Sequence, residues 1–114
     1  MKALVIVDES AGDARRVTHG MDLALELARA EDLSVRVFLL GATVDLARAD
    51  GPGRAPAQAG AVGRLVSGGV EVAVSEAEMA TRGLRPEDLM LGAQPASSAM
   101  LAAWTLDADR VLVF

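Results

Sequence analysis

Residues 70–84 read Val-Glu-Val-Ala-Val-Ser-Glu-Ala-Glu-Met-Ala-Thr-Arg-Gly-Leu, and they constrain the fold of this chain more than any other stretch. Val70 to Val74 carries β-branched residues at alternate positions, the pattern of a strand buried in a sheet. Ser75 is followed three residues later by Glu78, which marks a capping-box start for a helix. Gly83 then supplies the left-handed residue that commonly ends a helix. The stretch therefore predicts strand, sharp turn and short helix, with Ser75 at the carboxyl end of the strand. In open α/β sheets that end forms the crevice where ligands bind. Chemistry, if the chain has any, is expected first at Ser75.

The rest of the chain repeats this alternation. Ala3 to Val7 is a continuous apolar run, as in a central parallel strand. A polar turn follows over 8–13, where Ser10 and Asp13 fit a second capping box, and then an amphipathic helix over 13–30. Ala14, Val17, Met21, Leu25 and Ala28 line one face of that helix. Leu23 and Leu27 fall off the stripe, which suggests a second buried face and an oligomer contact. Ser34 to Leu40 is the next strand, closed by Gly41, and 42–49 predicts a short helix with Asp45 and Arg48 outward. Residues 50–63 are rich in Gly, Pro and Ala and break regular structure. Residues 59–67 turn helical before Gly68-Gly69.

After Leu84, Pro86 sits at the first position of one helical turn. Leu89 to Leu91 predicts a short strand, 95–107 an alanine-rich helix, and 110–114 a last strand. Strands alternating with helices imply a mostly parallel sheet of about five strands covered on both faces, a three-layer α/β/α sandwich. The 114 residues form one domain, 1–114, large enough to bury a core without staples. Hydrophobic residues make up 52% of the chain, slightly above the globular norm, and a subunit interface is the place to bury that surplus. The formal charge of −5 argues against nucleic-acid and anionic-membrane partners. With no cysteine, disulfides, thiolate metal sites and cysteine nucleophiles are excluded. Met1-Lys2 leads into a strand without a signal-peptide pattern, and no apolar run nears the ~20 residues that span a bilayer. A cytoplasmic protein is expected.

Taken together, these pieces resemble the DsrE/DsrF-like, or YchN-like, family. The resemblance rests on the first strand and turn, then His19-Gly20 and Leu23-Ala24-Leu25-Glu26-Leu27 in the first helix. It continues through Val35 to Gly41, Gly69 to Val72, Ala80 to Leu84 and Glu87-Asp88-Leu89. It ends on Ala108-Asp109-Arg110-Val111-Leu112-Val113-Phe114. The resemblance implies an α/β/α sandwich assembling into homotrimers or homohexamers. It also implies kinship with sulfur-relay subunits that hold a persulfide on one cysteine, at the position that Ser75 occupies here. A helix N-terminus presents free N–H groups and lowers a thiol's pKa toward the reactive thiolate. A serine hydroxyl cannot carry a persulfide, and Glu76 and Glu78 would oppose a thiolate or an incoming anion.

The candidate residues each have a plain alternative. Ser75 is first a helix cap and second a ligand-binding hydroxyl, since no base is placed beside it. His19, the single histidine, lies near the polar edge of the first helix, where a solvated or structural role is the usual one. Asp8 and Glu9 form a carboxylate pair suited to Mg²⁺ or acid–base work, but without a phosphate-binding loop a solvated turn is favoured. No glycine-rich nucleotide motif is present. Met79, Met90 and Met100 read as core, and Trp104 as an interface residue. The expectation is therefore a non-catalytic, homo-oligomeric protein with a candidate ligand crevice of Ser75, Glu76, Asp8, Ser10 and His19. No catalytic residue, metal or cofactor is assigned. The alternative, from a different class, is a sulfur-relay accessory subunit or enzyme acting with a cysteine-bearing protein partner.

Overall fold

A computed structural model of the chain describes residues 1–9, 14–49 and 60–114. Its framework is one sheet of five parallel strands: β1 (Lys2–Glu9), β2 (Ser34–Gly41), β3 (Glu71–Ser75), β4 (Ala93–Ala96) and β5 (Arg110–Val113). The spatial order is β4-β3-β2-β1-β5, so the strands that begin and end the described chain lie side by side. The connections carry α1 (Ala14–Leu27), α2 (Ala61–Ser67), α3 (Glu76–Thr81) and α4 (Ser98–Asp107), with 3₁₀ segments at Ala42–Ala47 and Pro86–Asp88.

The two faces of the sheet are covered unequally. On one face Val5, Val7, Val35, Val37, Leu39, Val72 and Val74 meet Val17, Met21 and Ala24 of α1, Val62 and Leu65 of α2, Val44 of the 3₁₀ segment and Met79 of α3. Among the described residues the other face carries α4 alone, over Leu4, Phe38, Ala73 and Ala96. Strand alternation explains the split, because neighbouring residues of β1 and β2 point to opposite layers. The close packing of α1 depends on Gly20, where an added Cβ would come within 3.0–3.1 Å of the Phe114 ring.

Several sequence expectations need correction. Leu89 to Leu91 is not a strand. Met90 N–H donates to Ala47 O at 2.9 Å, Leu89 makes an isolated antiparallel bridge to Arg48, and Leu91 is 96% exposed. The fourth strand is Ala93–Ala96 instead, which claims Pro95 and delays the helix to Ser98. Asp45 does not point freely outward, since it lies between Arg48 at 3.4 Å and Arg82 at 3.1 Å. Of the two leucines off the α1 stripe, Leu27 joins the core and Leu23 stays half-buried outside it. The expected capping box of Ser10 and Asp13, and the excursion over 50–59, lie outside the described residues.

Trp104 is the clearest revision. It is the one residue of α4 that is fully buried, and it is buried within its own subunit. Its ring meets Phe38 edge-on at a centroid distance of 6.2 Å, and the Arg36 guanidinium lies 4.7 Å above it. Trp104 thus fastens α4 to the sheet rather than to another molecule. Trp104→Ala is expected to cost about 3–5 kcal/mol in a denaturant melt at fixed protein concentration. A change below about 1 kcal/mol would return Trp104 to the interface.

Candidate functional site

The carboxyl ends of β1, β2 and β3 form the edge where the sequence places the site. Ser75 closes β3 and starts α3, and it is 8% exposed. Its Oγ accepts the Glu78 N–H at 3.3 Å, which satisfies one of the donors left free in the first helical turn. The return bond of a full capping box is not made. Ser75 also belongs to the β3–β4 ladder, paired with Ala96, so its backbone is committed to the sheet. Glu76 is exposed and Glu78 half-buried, and both stand in the first turn of α3.

The far end of α3 is equally well closed. Gly83 adopts φ 67°, Gly83 N–H donates to Ala80 O at 3.2 Å, and Leu84 N–H donates to Met79 O at 2.8 Å. Leu84 and Met79 are both buried in the core below, as this helix ending favours. Arg82, the next residue back, reaches Asp45 at 3.1 Å and ties α3 to the 3₁₀ segment after β2. The turn that positions Ser75 is therefore held at both ends and from the side.

The other candidates are dispersed. The strand registers set Asp8 level with Leu40, and Leu40 level with the residue after Val74. Asp8 and Ser75 thus share the carboxyl edge, but β2 separates them by about 10 Å. Asp8 is exposed, and no hydrogen bond among the described residues joins it to Ser75. His19 is exposed on α1, off the Val17 and Met21 stripe that docks this helix, and nothing links it to Ser75. Ser10 and the Glu9 side chain lie outside the described residues. Among the described residues no group of three or more His, Asp or Glu is placed to hold a metal ion.

A second polar cluster, which the sequence reading missed, stands at the opposite end of the sheet. A pocket of about 200 Å³ there is lined by Lys2, Arg36, Glu71, Trp104 and Asp107, among others. Its charges are already paired: Lys2–Asp107 at 3.0 Å, Arg36–Asp107 at 3.3 Å and Arg36–Glu71 at 3.6 Å. The Lys2 ammonium hydrogen-bonded to Asp107 holds that carboxyl below its ordinary range, with Arg36 adding to the effect. The available signal was Arg36 standing between Val35 and Val37, a charge on the alternate face of an apolar strand. These groups clasp β1, β2 and β3 to the end of α4. They leave no charge unsatisfied for a ligand.

With this geometry in place, the family profile of the DsrE/DsrF-like proteins matches residues 1–114. The chain belongs to the DsrE/DsrF-like family. Among solved structures it is similar to the ychN protein from E. coli, with 26% identity, a TM-score of 0.86, and coverage of 100% of this chain and 99% of that one. It also shares its fold with MTH1491 from Methanobacterium thermoautotrophicum, a protein of unknown function. That match has 19% identity, a TM-score of 0.75 and 97% coverage of each chain. No curated protein matches the sequence. Among the described residues no helix is long and apolar enough to cross a membrane.

A cap and a ligand hydroxyl respond differently to substitution. Ser75→Ala is expected to lose about 0.5–2 kcal/mol in denaturant melts. Ser75→Asp should stay close to wild type, because aspartate also caps and its charge suits a helix N-terminus. Ala costing nothing, or Asp costing far more than Ala, would overturn the capping assignment.

Proposed function

We propose that this chain is a non-catalytic, single-domain, homo-oligomeric member of the DsrE/DsrF-like family, acting in the cytoplasm as an assembly subunit with a small-ligand crevice at the carboxyl edge of its sheet. The observation that carries this reading is Ser75. It occupies the strand-to-helix turn where the family resemblance puts the sulfur-carrying cysteine, and its hydroxyl is engaged by the Glu78 N–H. The chain has no cysteine elsewhere to take over that task. Around Ser75, the exposed Glu76 and half-buried Glu78 favour a neutral or cationic ligand over an anion.

Assembly is supported by apolar surface on the α4 side. A parallel sheet is ordinarily covered on both faces, and here, among the described residues, one ten-residue helix serves this face of the five strands. Leu106 of α4 is 88% exposed and Val113 of β5 is 64% exposed on that side, surface that a partner subunit would cover. A homotrimer or homohexamer is the expected form. The alternative is a sulfur-relay accessory subunit that presents this crevice to a persulfide on a partner protein. Its support is the family membership itself.

Two measurements separate these readings. Incubated with a small-molecule persulfide donor and desalted, the protein should gain no sulfur mass, and light scattering should give a trimer or hexamer without another component. A clean monomer at micromolar concentration would remove the assembly reading. Stable, stoichiometric recovery of a cysteine-bearing persulfide carrier on the purified protein would favour the relay alternative.

A further inference from the structure

The two edges of the sheet are built differently. Both edge strands are four residues long, but the β4 edge contains Pro95, which has no N–H to offer a neighbouring strand. Proline is a usual protection of an exposed edge. The β5 edge has neither proline nor an inward charge. Phe114, just past β5, donates to Ile6 O and accepts from Asp8 N–H, both at 2.8 Å. Backbone groups alternate in direction along a strand, so Leu112 also faces β1 while Val111 and Val113 turn N–H and C=O to the open side. Among the described residues nothing bonds to those groups. The side chains of Val111 and Val113, level with Leu4 and Ile6, stand on the α4 face and are 39% and 64% exposed.

We infer that β5 is the strand through which two copies of this chain pair, antiparallel across a two-fold axis, joining their sheets into one of ten strands. The inference rests on the homo-oligomeric part of the proposed function. Water satisfies the open groups of Val111 and Val113 in the separate chain, and the protein element that can replace it along the strand is another extended backbone. A second β5 fits that need because the strand is self-complementary. With the axis at Leu112, Val111 of one copy faces Val113 of the other, twice over, and no like charges are opposed. Pairing also leaves only the two protected β4 edges exposed, so the joined sheet does not propagate. Such an axis makes the assembly even-numbered, a hexamer or dimer rather than an isolated trimer.

Val113→Pro removes only an outward N–H and leaves the β1 ladder intact. Each two-fold contact then loses two hydrogen bonds, so the concentration for half-association should rise by about ten- to a hundredfold. Far-UV circular dichroism and amide protection of Val5 and Leu39 should not change. In the wild-type assembly the Val111 amide should exchange slowly, and in Val113→Pro it should exchange like an exposed amide. If the proline variant unfolds, Val113→Lys decides, since it keeps the N–H and sets a charge at the joint. Assembly of a folded Val113→Pro, or of Val113→Lys, at wild-type concentration would overturn the inference. So would fast exchange of Val111 in an intact wild-type oligomer, with homo-oligomerisation left standing. A wild-type monomer would instead remove the assembly reading on which the inference rests.

Discussion

Everything in this structure follows from the requirement that a parallel sheet bury both of its faces. β1, β2 and β3 provide apolar side chains to both layers, and one layer answers with α1, α2, α3 and a 3₁₀ segment. The other answers with α4, whose only fully buried residue is Trp104. That layer is therefore held by few contacts, and they are of different kinds. An aromatic pair with Phe38, a guanidinium stack from Arg36 and the Asp107 clasp to Lys2 and Arg36 all converge near its carboxyl end. The exposed ion pairs contribute little singly. Their value lies in setting where Trp104 enters the sheet.

The same requirement shapes the carboxyl edge. β3 must stop where its sheet partners stop, and the chain must turn into a helix that returns Met79 and Leu84 to the core. Ser75 makes that turn possible by accepting the Glu78 N–H, and Gly83 releases the chain at the other end. A position with this backbone suits a reactive thiol as well as a cap, because both draw on the same free N–H groups. One local structure thus serves a sulfur carrier or a plain helix start, and the side chain at position 75 decides which. Here the hydroxyl and the neighbouring carboxylates favour the plain start.

Most of this was legible from residue pattern. The apolar run at Ala3 to Val7, the α1 stripe through Val17 and Met21, and the Ser75 to Gly83 unit each follow from a local rule that tertiary context left in force. The fourth strand was not legible. Leu89 to Leu91 is more apolar than Ala-Gln-Pro-Ala, yet an edge strand uses only alternate backbone groups, which makes room for Pro95. Met90 is drawn instead to the backbone of Ala47. Trp104 was misread for a related reason: small neighbours in a helix allow close approach to a sheet as readily as to another subunit. Of the candidate site, Ser75 and Glu76 lie at the predicted turn, and Asp8 lies on the same edge two strands away. His19 follows the phase of α1 instead, which leaves it exposed and unlinked to Ser75.

We propose that the turn at position 75 is a helix cap in an acidic setting and is not tuned for a thiolate. The most direct measurement restores the sulfur: the alkylation rate of the Ser75→Cys variant, followed against pH. Cysteine and serine are close in size, so the turn should be kept. The helix N-terminus lowers the thiol pKa while Glu76 and Glu78 raise it, which predicts a midpoint near the ordinary thiol value of about 8.5. A midpoint well below pH 7 would contradict the account, and would show a crevice still suited to sulfur chemistry.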